Sequence, residues 1–441
     1  MASVLRAAPV LVPVLVLVLV AAACNRCNLQ QHACPCMCAA EVVFAEDDAG
    51  ALHINTSDPM SQPVLVNGVN MGAVFDAVAA QQSMLQAYQS VMDTQQSRIS
   101  MQQSRIAVQQ DRIAALEAEV CTPSTSVFGQ LSGASNKWVG GALAGNGLIY
   151  AAPFNADSVL ILNPTTNTAD VTSIAGFTSG GGKWAGAVLA ENGLIYMFAA
   201  SATSMLVVDP ETNNVDVTSI HSLPSGALKW ASGVVADNGL IFAIPYAFPS
   251  VLIVDPATNI TTTIALDGLS GSGTEWYGGV QAANGLIYCF PSAATFVLII
   301  DPIALTADTT SIQGLEAGAY KWLGGVLARN GLVYGIPARA GTVLVIDPTT
   351  NSIDMIRIAN STITSRWAGG ALAANGNIVC IPYSSTPALI FNPATNATTM
   401  VAVPDVGEGP VGWWDGVLAP NGRIYGLPLF PEVVLAIDPG C

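Results

Sequence analysis

The chain has 441 residues, of which 51% are hydrophobic and only 10% charged, with 30 Asp and Glu against 14 Lys and Arg for a formal net charge of −16. That length suits two or three domains. The acidic balance lacks the basic footprint that a nucleic-acid binder needs, so nucleic acid is excluded as a partner.

Residues 1–23 run from Arg6 through an apolar stretch into Ala21-Ala22-Ala23, the charged, apolar and small-residue order of a secretory signal peptide, with cleavage expected before Cys24. The chain would meet a membrane only if this segment stays uncleaved as an anchor or if Cys24 is lipidated. Export places the nine cysteines in an oxidising compartment, secreted or on the extracellular surface, where thiols pair. Cys24, Cys27, Cys34, Cys36 and Cys38 crowd into residues 24–40. Their spacing lacks the two separated pairs of a zinc site, and disulfides within or between chains are expected instead. In residues 41–70 the alternating Leu52 and Ile54 and the run Val64-Leu65-Val66-Asn67-Gly68 predict a short β element and linker.

Residues 71–120 predict a helical coiled-coil stalk. From Val78 an apolar residue recurs every seventh position, at Leu85, Met92, Ile99, Ile106, Ile113 and Val120. A strict seven-residue period winds helices into a left-handed supercoil, whereas a stripe this narrow cannot fold one helix onto a globular domain. The companion core position reads Gln81, Tyr88, Gln95, Gln102, Gln109 and Leu116, and glutamines there set register and strand number. A homo-oligomer, trimer or dimer, is expected through residues 78–120.

Residues 121–441 are a repeat. Tryptophans at 138, 184, 230, 276, 322, 367 and 413 stand 46, 46, 46, 46, 45 and 46 residues apart, each followed eight residues later by Asn-Gly. A period of 40 to 50 residues with strand-like content means propeller blades, so the expected fold is an all-β seven-bladed propeller of four-stranded blades. From Trp322 the strands read as 325–328, 332–336, 343–346 and 353–356, with Asn-Gly turning the first into the second and Asp-Pro-x-Thr-Asn turning the third into the fourth. The seventh copy stops at Asp438-Pro439-Gly440-Cys441 without a fourth strand, while Thr125-Ser126-Val127 matches the Thr218-Ser219-Ile220 of fourth strands. An N-terminal strand should therefore close blade seven. By the same alignment Cys441 falls where Thr212 sits and Cys121 where Asn214 sits, across one tight turn, which suits a disulfide. Cys289 and Cys380 occupy equivalent interior positions in blades four and six and read as buried free thiols.

Asn-Gly-Leu-Ile-Tyr followed by Val-Leu-Ile-x-Asp-Pro-x-Thr-Asn resembles kelch-type propeller repeats in all seven copies. Where a kelch repeat has two glycines after its tyrosine strand, this chain has Gly335-Ile336-Pro337 or Gly426-Leu427-Pro428, and the kelch tryptophan after Thr-Asn is absent. The resemblance implies a divergent, kelch-like propeller. The histidine ligands of the copper-oxidase type of kelch propeller are missing.

The turns between strands one and two and between three and four are tight and nearly invariant, so the longer loops of the opposite face should carry binding. One loop ends in a cation and the repeat tryptophan: Lys137-Trp138, Lys183-Trp184, Lys229-Trp230, Lys321-Trp322 and Arg366-Trp367, with Glu275-Trp276 in blade four and Gly412 before Trp413. These residues read either as interblade packing with each cation capping carbonyls, or as a broken ring of cations and indoles around an anionic or sugar ligand. The loop after the second strand varies, with Phe154, Tyr246, Arg339, Tyr383 and Leu429 among its residues. Near the axis Asp415 replaces the glycine or serine of the other copies and is a candidate ion or ligand contact, although hard cations want several oxygens.

Catalytic constellations are scarce. His221 is the one histidine in the repeats, so neither a Ser-His-Asp triad nor a multi-histidine metal site can be assembled. No cofactor and no metal are expected. A carboxylate pair among Glu275, Glu316, Asp405, Glu408 and Asp415 could serve a lyase or hydrolase, but no spacing favours one. Asn55, Asn259, Asn360 and Asn396 are N-glycosylation sequons. The sequence thus predicts a secreted or cell-surface oligomeric binding protein, adhesin- or lectin-like, for an extracellular carbohydrate or protein. The alternatives are a propeller-scaffold enzyme such as a polysaccharide lyase or hydrolase, or a structural coat component.

Overall fold

The computed structural model describes residues 42–46, 52–56, 64–66, 68–132, 135–266, 269, 273–358, 367–384, 387–404 and 412–441. The signal segment, the cysteine cluster of residues 24–38, Asn360, Arg366, Asp405 and Glu408 lie outside the described residues. The chain divides between Ala114 and Ala115 into two compact units.

In the first unit Val42–Glu46 pairs antiparallel with Leu52–Thr56, placing the Asn55 sequon in a strand. A second hairpin, Leu65–Val66 with Val69–Asn70, turns through Gly68 at φ 81° and leads into the helix Met71–Val120. Asn70 caps that helix, its Oδ1 accepting from the backbone N–H of Gly72 at 3.0 Å. The heptad residues form an exposed stripe on the single chain, with Leu85 66% and Met92 60% accessible. Among the described residues no helix is long and apolar enough to cross a membrane.

The second unit is the propeller, seven four-stranded antiparallel sheets, six of them running inner to outer in chain order and the seventh taking its outer strand from the N-terminal side. Every inner strand begins on the repeat tryptophan, from Trp138–Leu143 to Trp413–Leu418. The second strands, Ile149–Pro153 in blade one, are buried along their whole length because neighbouring blades cover both faces. Outer strands such as Ile260–Ala265 are exposed or half-buried along their whole length.

The inner strands start three residues earlier than the sequence suggested. In blade five Trp322 pairs with Pro337 and the register then slips before Gly325, through Gly324 at φ 84°. Such a bulge breaks the period-two alternation, so the tryptophan read as loop. It is core instead: Trp230, Trp276 and Trp413 are fully buried, and each ring Nε1–H donates to a carbonyl at the start of its blade's third strand, as Trp230 does to Ser250 at 2.8 Å.

Ring closure follows the expected design. Ser124–Phe128 pairs with Val434–Asp438, Val127 opposite Leu435. Cys121 and Cys441 form a disulfide, with their Cα atoms 4.7 Å apart. Gly440 stands at φ 75°, and a Cβ there would lie 2.2 Å from the Cys121 carbonyl oxygen, so glycine is what lets the two ends approach. Cys289 and Cys380 are buried free thiols.

The recurrent motifs are the two halves of an interblade joint. The Asn146 side chain holds its own turn by accepting from Leu148 N–H, and donates across the blade boundary to the Pro210 carbonyl at 2.8 Å. Tyr150 donates to the same carbonyl and lies 3.0 Å from Asn213 Oδ1. Asn284 and Tyr288 repeat this on Pro348 and Asn351, and Asn421 and Tyr425 of blade seven close it on Pro164 and Asn167 of blade one. In blade three Phe242 replaces the tyrosine and Asn238 alone holds Pro302. This face of the propeller is committed to holding the blades together. The Asn259 sequon lies within such a joint, its Oδ1 bonded by Tyr196, whereas Asn396 is exposed.

Candidate functional site

The opposite face carries both longer loops, and here the lysines are arranged as in the reading of interblade packing with each cation capping carbonyls. Lys137, Lys183, Lys229 and Lys321 are buried, at 2%, 9%, 0% and 6% accessibility. Each ammonium is spent on backbone carbonyls. Lys229 Nζ donates to Ala200, Ala202 and Gly226 at 3.2, 2.9 and 3.2 Å, and Lys321 to Ser292, Ala294 and Gly318 at 3.2, 2.8 and 3.1 Å. Lys183 does the same on Phe154, Ala156 and Gly180, and Lys137 holds Phe430 of blade seven at 2.7 Å. The lysine thus fastens the second-strand loop of the preceding blade. Burial lowers the pKa of all four, offset at Lys137, Lys183 and Lys321 by Glu432, Asp157 and Glu275. The tryptophans beside them, Trp138, Trp184, Trp230, Trp276, Trp322, Trp367 and Trp413, lie in the blade cores. Both sets are buried.

What faces the axis is the residue after each tryptophan, a position the sequence reading passed over. Val139, Ala185, Ala231, Tyr277, Leu323, Ala368 and Trp414 come together from all seven blades. Around them gather residues from the ends of the second strands, including Phe154, Tyr246, Ala338, Tyr383 and Leu429. All of these except Ala368 line a cavity of about 300 Å³ at the mouth of the axis, completed by Asn136, Leu228, Tyr320 and Arg339. The variable second loop therefore contributes to the cavity lining.

Blades four and seven make this cavity aromatic. They are the two that carry Glu275 and Gly412 where the others have a cation, and the two that place Tyr277 and Trp414 at the axis. The two side chains meet there: Trp414 Nε1–H donates to the Tyr277 hydroxyl, with the rings edge to face at 5.4 Å. Tyr246 packs edge-on against Tyr277 at 5.7 Å, and Tyr383 against Trp414 at 5.2 Å and 88°. The missing Gly412 side chain has a packing reason, since a Cβ there would lie 2.9 Å from the Phe430 ring. Burial raises the pKa of Tyr277, Tyr246 and Tyr383, so these hydroxyls stay protonated at neutral pH.

Two bulky residues of the same rim have left-handed backbones. Leu228 and Tyr320 sit at φ 55° and 59°, where blade two has Gly182 at φ 55°. A bulky residue in the left-handed region costs on the order of 1–2 kcal/mol, and such positions cluster at functional sites.

Below the Tyr277–Trp414 brace lies a second, smaller cavity of about 130 Å³, walled by the inner-strand glycines and Asp415. Asp415 takes the place of a ring of positive-φ glycines, including Gly140, Gly186, Gly278, Gly324 and Gly369, and itself has φ 62°. Its Oδ1 accepts from Gly416 N–H at 2.9 Å. Burial nevertheless raises its pKa to about 6, with the backbone N–H groups of Gly416 and Gly141 opposing the rise. Among the described residues no group of three or more His, Cys, Asp or Glu converges, so no second carboxylate stands with Asp415.

The consequence is a stability cost at neutral pH. A carboxyl whose folded pKa lies above its unfolded value binds protons more readily in the native state, so stability falls as pH rises from about 4 through about 6 and stays low above. Asp415→Asn should raise stability at pH 7.5 by on the order of 2 kcal/mol and flatten that fall. Thermal unfolding between pH 4 and 8 checks it, and a variant less stable than wild type at pH 7.5 would refute this account of Asp415.

No family model matches the chain, and no curated protein matches it by sequence. Solved structures do share its fold. A streptogramin B lyase is similar over 72% of this chain and 97% of its own, at 10% identity and a TM-score of 0.57. A catalytically inactive virginiamycin B lyase from Staphylococcus aureus with quinupristin gives 72%, 99%, 8% and 0.57. The extracellular domain of a one component system from B. thetaiotaomicron matches over 70% of this chain and 40% of its own, at 11% identity and a TM-score of 0.53. At these identities the likeness is one of fold alone.

Proposed function

We propose that this chain is a secreted or cell-surface oligomeric binding protein whose kelch-like propeller takes an extracellular carbohydrate or protein ligand at the aromatic mouth of its axis. The carrying observation is that Tyr277, Trp414, Tyr246, Tyr320, Tyr383 and Arg339, none of which recurs in most blades, line one cavity. Residues that hold blades together recur in most copies, whereas these do not. The Cys121–Cys441 disulfide and the likeness to an extracellular domain support an oxidising, external location. Binding is favoured over catalysis because the described cavity lining holds no carboxylate or imidazole, and Asp415 lies beyond the Tyr277–Trp414 brace.

The heptad stripe supports self-association of residues 78–120 as a trimer or dimer, which would multiply weak contacts through avidity. The full chain should sediment as two or three copies, and Ile99→Lys with Ile106→Lys should give monomers with the propeller's circular dichroism unchanged. Glycan and protein arrays test the binding itself. Wild-type oligomer should capture a ligand, Tyr383→Ala should lose about tenfold or more in affinity, and the monomeric variant should lose avidity. A folded oligomer that captures nothing on either array sinks the proposal.

A further inference from the structure

We infer that the axial cavity selects an apolar group bearing a single carboxylate, either a small free organic acid or the C-terminal residue of a protein partner. This rests on the binding role proposed above and names the chemistry of the same site.

Three observations carry it. The first is the polar inventory. Tyr246 is hydrogen-bonded to Tyr320 and Thr274, and Trp414 to Tyr277, so most polar groups in the lining are already satisfied by one another. A neutral sugar buried there would leave several hydroxyls without partners, each a substantial penalty. The second is charge. Arg339 is the one charged residue in the described lining, on a chain with a net charge of −16. Its guanidinium lies 4.8 Å from the centre of the Tyr320 ring, and its positive charge acts on Tyr383 from the same rim. A cation at this rim favours an anionic group over a neutral one of the same shape, and a guanidinium matches the geometry of a carboxylate. The third is shape. The rings around the cavity stand nearly perpendicular, at 85°, 79° and 88°. They form a box for one apolar group and offer no extended platform for a chain of sugar rings. At about 300 Å³ the cavity is at the small end of ligand pockets.

The test compares acids with their amides, which keep shape and lose charge. Calorimetry on the full chain would use phenylacetate against phenylacetamide for the free-acid source, N-acetylphenylalanine against its amide for the C-terminal source, and galactose and galacturonate as sugar probes. At least one acid should bind once per chain and about ten- to a hundredfold tighter than its amide. Arg339→Gln should bring the acid down to the amide's affinity while leaving the amide unchanged. Ala231→Tyr should abolish both. Blades four and seven already carry aromatics at that position, so this variant fills the cavity with a side chain the fold accepts.

Equal affinity for acid and amide, or tighter binding of galactose that survives Arg339→Gln and is lost in Ala231→Tyr, overturns the inference while leaving the binding role intact. Ligands captured on arrays with no sensitivity to Ala231→Tyr overturn both.

Discussion

Cys441→Ser should lower the stability of the propeller by about 6 kcal/mol, the loop-entropy value for so long a closed loop, across a sequence separation of 320 residues. For a unit of this size that is a fall in melting temperature of roughly 5–10 °C. The reason is topological. In six blades the fourth strand is delivered by the chain directly from the third, whereas Ser124–Phe128 reaches Val434–Asp438 from the other end of the repeats. Once the sulfur bridge is gone, a five-residue ladder and a few side-chain bonds, such as Thr125 Oγ1 to the Ala402 carbonyl at 2.6 Å, hold the ring shut. Opening should therefore begin there. Hydrogen exchange would quicken first in residues 124–128, and reductant should bring wild type down to the variant while leaving the variant unmoved. Melting unaffected by the substitution would mean that strand pairing alone closes the ring.

The same logic explains what could be read from the sequence. Blade number, ring closure and the Cys121–Cys441 bond were legible because they follow from residues that every copy must supply in the same place. Asn146 and Tyr150 meet Pro210 and Asn213 in one joint, and a joint that recurs leaves a periodic trace. The helix Met71–Val120 was legible from its seven-residue period. The site was not, because a single cavity at the axis is built from positions that differ between blades. Lys229-Trp230 drew attention as a repeated cation beside an indole, yet its recurrence marks a structural task that each blade boundary has to solve. Trp414 was the better signal, the one tryptophan of eight off the period. Tyr277 answers it three blades away, and in a seven-membered ring that is across the axis. No sequence spacing encodes that contact; it depends on the ring closing. The bulge at Gly324 hid the rest, since it turns the residue after the tryptophan towards the axis just where alternation would place it elsewhere.

Lys229→Met separates the two readings of the lysines. The ammonium of Lys229 is fully buried and donates to three carbonyls, two from the blade-two loop and one from its own. Methionine keeps most of the stem's packing but leaves those carbonyls without a donor in a place water does not reach. Removing charge-assisted bonds of this kind costs about 1.5–3 kcal/mol each in isolation, and three acceptors that share one donor relax together. A loss of about 3–4 kcal/mol is the expected result, visible as a lower midpoint in denaturant with an unchanged slope. Affinity at the axial cavity should stay within about twofold in the folded variant, because the lysine does not line that cavity. Ligand-gripping lysines would give the opposite pattern, with stability preserved and binding lost. Blade four marks the natural limit of the device. Glu275 cannot donate to carbonyls, and the chain there relies on the backbone bond from Glu275 N–H to the Tyr246 carbonyl at 2.7 Å. Glu275→Lys should therefore recover part of the interblade fastening, and a double variant with Lys229→Met should show the two effects as additive, since they act on different blade boundaries.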